Sequence, residues 1–125
     1  MQIRVYYEDT DVGGVVYHSN YLNFCERARS QLFFDRGRSP ITSSGHFVAK
    51  SIKAEYLKSA KFGDVLEVKT ALKSIKNASF TLLQSIYRGD EKIFVMEIQL
   101  VHLRHDGTIA LIPDEERLFL LGLSE

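Results

Sequence analysis

Residues 21–36 carry a long helical repeat, and it stands between segments that follow the two-residue period of β-strands. Tyr21, Phe24, Cys25, Ala28 and Leu32 fall on one face at helical spacing, with Glu26, Arg29 and Asp35 left for water. Phe33 and Phe34 widen the apolar stripe, so the helix is expected to be deeply packed. Before it, Ile3, Val5 and Tyr7 alternate with Arg4, Tyr6 and Glu8, which predicts a strand with one buried face. After it, residues 47–57, 65–75, 80–88 and 93–104 read as four more strands. Turn chemistry marks the joints at 62–64, 76–78, 89–90 and 106–107, and joints this short imply antiparallel neighbours. Gly37 suits a left-handed helix C-cap, Arg36 and Arg38 suit the negative end of the dipole, and Pro40 opposes continuation into a loop at 39–46. Pro113 opens a short closing helix, residues 113–121, with Asp114, Glu115 and Glu116 near its positive end. The expected fold is α+β: a five-stranded antiparallel sheet curled around one long helix, with a short C-terminal helix.

At 125 residues, with no internal repeat or linker, residues 1–125 are expected to form a single domain. Sixteen Lys and Arg balance sixteen Asp and Glu, so no overall field draws the chain to nucleic acid or to an anionic membrane. The single Cys25 cannot form an intramolecular disulfide and reads as core. The first residues lack the apolar core of a secretory signal, and no apolar run approaches the roughly twenty residues that span a bilayer. A soluble, cytoplasmic protein without stable membrane insertion is therefore expected. The long segment 47–57 would leave an open sheet edge, a natural place for a second copy to pair.

Residues 9–21, DTDVGGVVYHSNY, run directly into the long helix. Asp9 and Asp11 precede Gly13 and Gly14, whose freedom at positive φ lets backbone amides approach another molecule. Ser19 and Asn20 are residue types that cap a helix N-terminus. A carboxylate thus faces a helix start, where free N–H groups and the dipole attract developing negative charge. The same residues admit other readings: Asp9 and Asp11 as ordinary turn acids, His18 as a surface or capping residue, Tyr7 as simple packing. Asp9, Asp11 and His18 could also converge on a divalent metal. His46, His102 and His105 show no metal spacing and read as surface or strand histidines.

The run RVYYEDTDVGGVVYHSNYLNFCERAR, residues 4–29, resembles the signature of hotdog acyl-CoA thioesterases of the 4-hydroxybenzoyl-CoA thioesterase family, closest to its Tol-Pal-associated, YbgC-type branch. EYLKSAKFGDVLEV and SFTLLQSIYR follow in the order that family shows, and Ser59 departs from its usual proline. The resemblance implies a hotdog fold and hydrolysis of acyl-CoA to free acid and CoA without a bound cofactor or metal. It makes Asp11 catalytic, sets His18 at the helix start, and matches Tyr7 to a tyrosine before the acid run. It lets the thioester lie along Gly14, Val15 and Val16, brings Lys76 towards the coenzyme nucleotide, and runs the acyl chain between helix and sheet. A homo-oligomer, dimer or tetramer, with sites near the subunit interface follows from it, with acyl carrier protein as a second conceivable carrier. Chemistry agrees: thioester hydrolysis needs an activated water or a carboxylate nucleophile, donors for the oxyanion, and a leaving thiolate that is already good. A non-catalytic acyl-binding module would not require Asp11, and its presence argues against that reading.

Overall fold

The computed structural model describes residues 1–123. In chain order these form β1 (Gln2–Arg4), α1 (Asn20–Asp35), β2 (His46–Tyr56), β3 (Val65–Ile75), β4 (Ser79–Arg88), β5 (Glu91–Leu103) and α2 (Asp114–Leu121). The strands make one sheet in the order β1-β3-β4-β5-β2, every neighbouring pair antiparallel. The short turns foreseen after the helix produce the β3–β4–β5 meander, while β1 and β2 take the two edges.

Alternation decides which face meets the helix. Leu82↔Ile98, Gln84↔Met96 and Ile86↔Phe94 are cross-strand partners, as are Val68↔Ile86 and Thr70↔Gln84, and all of these side chains are buried. They share a core with Tyr21, Phe24, Cys25, Ala28 and Phe33 of α1. Full burial of each large apolar side chain contributes about 1.5–3 kcal/mol, which outweighs the modest propensity of an aromatic-rich helix. Two polar side chains, Gln84 and Thr70, sit within this layer and bond to one another. The Gln84 amide donates to the Cys25 carbonyl at 2.9 Å and to Thr70 Oγ1 at 3.0 Å, and accepts from Arg29 Nη1 at 3.4 Å. Arg29 is therefore drawn under the helix rather than left in water, and desolvation lowers its pKa. Burial likewise pushes the Cys25 thiol up to about 12.

The C-terminal end of α1 is closed as expected. Gly37 takes φ 67°, its N–H donates to Phe34 O at 3.0 Å, and Arg38 N–H donates back to Phe33 O at 2.9 Å, which is a Schellman closure. Arg38 Nη2 meets Glu116 Oε1 of α2 at 3.1 Å, and Phe119 packs on Phe33 with ring centroids 4.5 Å apart. Pro113 stands at the N-cap position, one residue before the helix it was expected to begin.

Three expectations are corrected. Phe33 is buried but Phe34 is exposed, because the apolar face of α1 is narrower than two adjacent aromatics. Ser19 occupies the N-cap position with helical backbone and makes no side-chain cap; the Asn20 amide instead donates to Asp9 O at 3.0 Å. The first strand ends at Arg4 and does not reach Tyr7. Tyr7–Asp9 form a 3-10 turn because the Asp9 carboxylate accepts the Tyr6 N–H at 2.9 Å, and the Tyr7 ring stacks on Phe62 at 4.6 Å, 80% exposed. No helix among the described residues is long and apolar enough to cross a membrane.

Candidate active site

The two acids of the motif, two residues apart, do different work. Asp9 is 7% exposed: Oδ2 of its carboxylate holds the Tyr6 amide, and its carbonyl accepts Tyr17 N–H at 2.9 Å as well as the Asn20 side chain. It fastens the 3-10 turn to the start of α1. Asp11 is exposed. Its N–H donates to Val15 O at 2.9 Å and its carbonyl accepts Gly14 N–H at 3.0 Å, closing a tight loop whose return needs Gly14 at φ 83°. Oδ1 of Asp11 accepts the Gly13 N–H at 2.8 Å, and a Cβ on Gly13 would stand 3.2 Å from that oxygen. The second carboxylate oxygen has no protein partner among the described residues. One oxygen thus orients the group and the other is free to act on a ligand or water.

Backbone bonds hold the loop against the sheet end, and the Val16 side chain is buried in the core. Val15 bridges Lys61, and Val16 N–H donates to Ala60 O at 2.8 Å. Ala60 N–H in turn donates to the Tyr21 hydroxyl at 2.9 Å, and the Tyr56 hydroxyl donates to His18 O at 2.8 Å. These two tyrosines, which sequence reasoning did not single out as site residues, fix the helix start against the strand ends. Desolvation raises both phenol pKa values, so both stay protonated at neutral pH and Tyr56 stays a donor. Periodicity could mark Tyr21 only as a core residue, and its hydroxyl partner lies 39 residues away.

An open hollow of about 270 Å³ lies between Asp11, Val15, Val16 and His18 on one side and Tyr21, Tyr56, Leu57, Lys58 and Ser59 on the other. At its helix side, among the described residues, the amides of His18 and Tyr21, both of which line it, donate to no acceptor. The first turn of α1 instead begins with Asn20 N–H to Tyr17 O and Leu22 N–H to Ser19 O. A carboxylate and unengaged helix-start donors therefore border one concavity, the pairing that acyl transfer requires. The His18 ring leans on Tyr17 with centroids 4.4 Å apart and makes no hydrogen bond to Asp11.

Asp11, Val15, Val16 and His18 are thus brought together, with Gly14 in the same loop. Tyr7 packs away on Phe62 and does not touch the Asp11 carboxylate. Lys76 lies in the turn after β3, at the opposite end of an eleven-residue strand, roughly 33 Å from the loop by the rise per residue. Lys58, by contrast, lines the hollow itself. Among the described residues no three His, Cys, Asp or Glu side chains are grouped to hold a metal ion, and the Asp9 carboxylate is turned onto backbone.

A second cavity, about 280 Å³, lies under the later half of α1. Phe33, Phe47, Phe80, Leu82 and Leu100 line it, with Arg29 among them. It shares no lining residue with the Asp11 hollow, and Tyr21, Phe24 and Phe94 are buried in the core, the first and last stacked at 5.2 Å.

One long helix on a five-stranded antiparallel sheet of this order is a hotdog fold, and solved structures agree. A probable thioesterase from Bartonella henselae superposes with TM-score 0.86 at 29% identity, covering 90% of this chain and 97% of the other. The sequence matches the thioesterase-like superfamily over residues 5–120, and the chain belongs to that family. Among curated relatives, an acyl-CoA thioesterase YbgC from Helicobacter pylori (strain ATCC 700392 / 26695) is 51% identical over 87 residues, 70% of this chain and 65% of the relative. An acyl-CoA thioester hydrolase YbgC from Escherichia coli O6:H1 is 36% identical over 94 residues, 73% of this chain and 70% of the other. The match thus spans 65% of the Helicobacter protein's length.

Proposed function

We propose that the protein hydrolyses acyl-CoA thioesters to the free acid and CoA, as the names of its relatives describe for them. The observation that carries the reading is the half-engaged Asp11 carboxylate beside unengaged helix-start amides in one hollow. The thioester carbonyl lies along Gly14, Val15 and Val16 with its oxygen towards the amides at His18, where the dipole of α1 stabilises the negative charge formed on attack. Asp11 supplies the electrons, either by taking a proton from water or by attacking the carbonyl carbon to form an anhydride that water then opens. The tetrahedral adduct collapses by expelling the CoA thiolate, so no serine triad is required.

His18 serves through its amide, and Tyr56 steadies that segment through the His18 carbonyl. Lys58 is the cation nearest the hollow for a coenzyme phosphate, whereas Lys76 can serve only a site on another copy. The protein works in the cytoplasm, in acyl-CoA and lipid metabolism, as a homo-oligomer paired through the open edge of β2. Acyl carrier protein is the alternative carrier to test beside CoA. Free-thiol release is measured across short, long and aromatic acyl-CoAs; release with at least one is expected, and release with none overturns the hydrolase reading and leaves an acyl-binding module. Single turnover in oxygen-18 water tests the direct route: label in the Asp11 carboxylate marks direct attack, whereas label in the product acid alone fits activated water or an anhydride opened at its acyl carbon.

A further inference from the structure

The run Leu57 to Lys61 passes along the far wall of the Asp11 hollow, to which Leu57, Lys58 and Ser59 contribute. Most of its amides are taken: Leu57 and Lys58 donate to Ile93 O at 2.9 and 3.1 Å, Ala60 to the Tyr21 hydroxyl at 2.9 Å, and Lys61 to Asp64 Oδ2 at 3.0 Å. Among the described residues the Ser59 N–H donates to no acceptor, and the hydroxyl of this exposed, hollow-lining residue makes no hydrogen bond. We propose that Ser59 binds the amide-bearing arm of the thiol carrier, its N–H and hydroxyl donating to the amide carbonyl nearest the sulfur. The proposal rests on the thioesterase reading and adds to it the part of the carrier that this wall recognises.

The free amide is held still by its neighbours. Ser59 O accepts Arg88 Nη1 at 2.8 Å, and the same guanidinium is fixed by Asp64 and Glu91, each at 3.0 Å. The peptide that follows Ser59 is therefore pinned at both ends, by Arg88 at its oxygen and by Tyr21 at its N–H. Ala60 O is taken in turn by Val16 N–H at 2.8 Å, which ties this wall to the Asp11 loop across the hollow. A donor already fixed in place binds a carbonyl with little further ordering cost. Proline, the residue usual here in the family signature, has neither N–H nor hydroxyl, so the serine gives this wall two donors that the usual residue lacks.

What these donors fit follows from what else the hollow holds. The thioester carbonyl is assigned to Gly14, Val15 and Val16 and to the amide of His18, on the wall facing Ser59, and Asp11 needs its free oxygen for water or for the carbonyl carbon. Neutral donors suit a neutral acceptor, whereas an anion would take the Lys58 ammonium of the same wall. Coenzyme A offers such an acceptor close to its thiol: two methylenes separate the sulfur from an amide, and amide carbonyls are strong acceptors. Acyl carrier protein presents the same arm, so the shared chemistry is the amide of a pantetheine thioester. A plain alkyl thioester lacks it.

Two experiments test it on the intact chain. Free-thiol release is compared for one acyl group carried on coenzyme A, on N-acetylcysteamine, which keeps only the first amide, and on propanethiol, which keeps none. The unmodified protein is expected to favour the first two in kcat/KM by about tenfold or more, and Ser59→Pro to remove that preference while leaving the propyl thioester unchanged. Ser59→Ala keeps the N–H and loses the hydroxyl; it should fall between the two and serves should the proline variant melt early. An equal loss with all three thioesters places Ser59 at the reacting carbonyl and overturns the arm assignment, as does no loss with any. The same acyl group on acyl carrier protein, run beside acyl-CoA, shows which carrier delivers the arm. The second experiment needs no turnover: in Asp11→Asn protein the Ser59 amide resonance should shift further with the N-acetylcysteamine thioester than with the propyl one. An unmodified protein that releases no thiol from any thioester refutes the hydrolase reading, while the resonance still decides the arm site; a Ser59 amide that does not move, or moves equally with both, overturns it.

Discussion

The two ends of α1 are built on opposite principles. At the C-terminal end every device for finishing a helix is present: a left-handed glycine, two back-bonded amides, an Arg38–Glu116 pair and an aromatic lid from α2. At the N-terminal end the side chains that could cap are turned elsewhere, and the unbonded amides of His18 and Tyr21 border a hollow beside an exposed acid. A helix start left open costs stability, because unmet donors lose a hydrogen bond worth about 0.5–2 kcal/mol when a cap is missing. On the proposed reading the finished end carries stability and the open end the chemistry.

The largest effect expected from that division is on turnover. Asp11→Asn keeps the size of the side chain and the bond from Gly13 N–H, but removes the charge; kcat should fall by about a hundred- to ten-thousand-fold with thermal unfolding unchanged. Mass spectrometry must show that the asparagine has not deamidated. Near-normal turnover in that variant would break the contrast at its more important end. At the other end, Glu116→Ala strands Arg38, whose Nε is already buried without a partner, and should cost about 1–2 kcal/mol in urea unfolding while kcat stays level. Gly37→Ala forces a Cβ into the left-handed region and should cost about 1 kcal/mol, again with kcat unchanged. A kcat loss in either variant that exceeds the loss of folded protein would show that the two ends are coupled.

The smallest effect concerns pH. Burial alone would raise the Asp64 pKa, but its bonds from Lys61 N–H and Arg88, each 3.0 Å, outweigh burial and hold it below the ordinary carboxylate value. Its folded value is depressed, so its stabilisation is fully present above about pH 4 and is lost as pH falls through the folded value. Melting temperature against pH should drop in that acid window, and the drop should be shallower in Asp64→Asn.

What the sequence disclosed, and what it hid, follows from the range of the interactions. The helix, the four strands after it and the Gly37 closure depend on periods and dipeptides, and all were legible. The geometry of the Asp11 loop was legible because glycine, acid and helix start are close in the chain. The turn at Tyr7–Asp9 was not, since alternation continues through Tyr7 while the Asp9 side chain, three residues ahead, captures the Tyr6 amide. Nor was the bracing by Tyr21 and Tyr56, whose hydroxyls meet Ala60 and His18 across 39 and 38 residues. Arg29 looked solvated because its helical position borders the polar face; only Gln84, 55 residues on, draws it inward.

The thiol sealed beneath α1 makes the molecule its own silent background. Burial pushes the Cys25 thiol up to about 12, so it stays almost wholly protonated at pH 8, whereas CoA released by the proposed reaction would carry an ordinary thiol. A chromogenic disulfide reagent added to an acyl-CoA assay should therefore report released CoA and leave the folded protein unmarked. Once substrate is exhausted, the slow uptake of one further equivalent per chain times how often the helix lifts from the sheet.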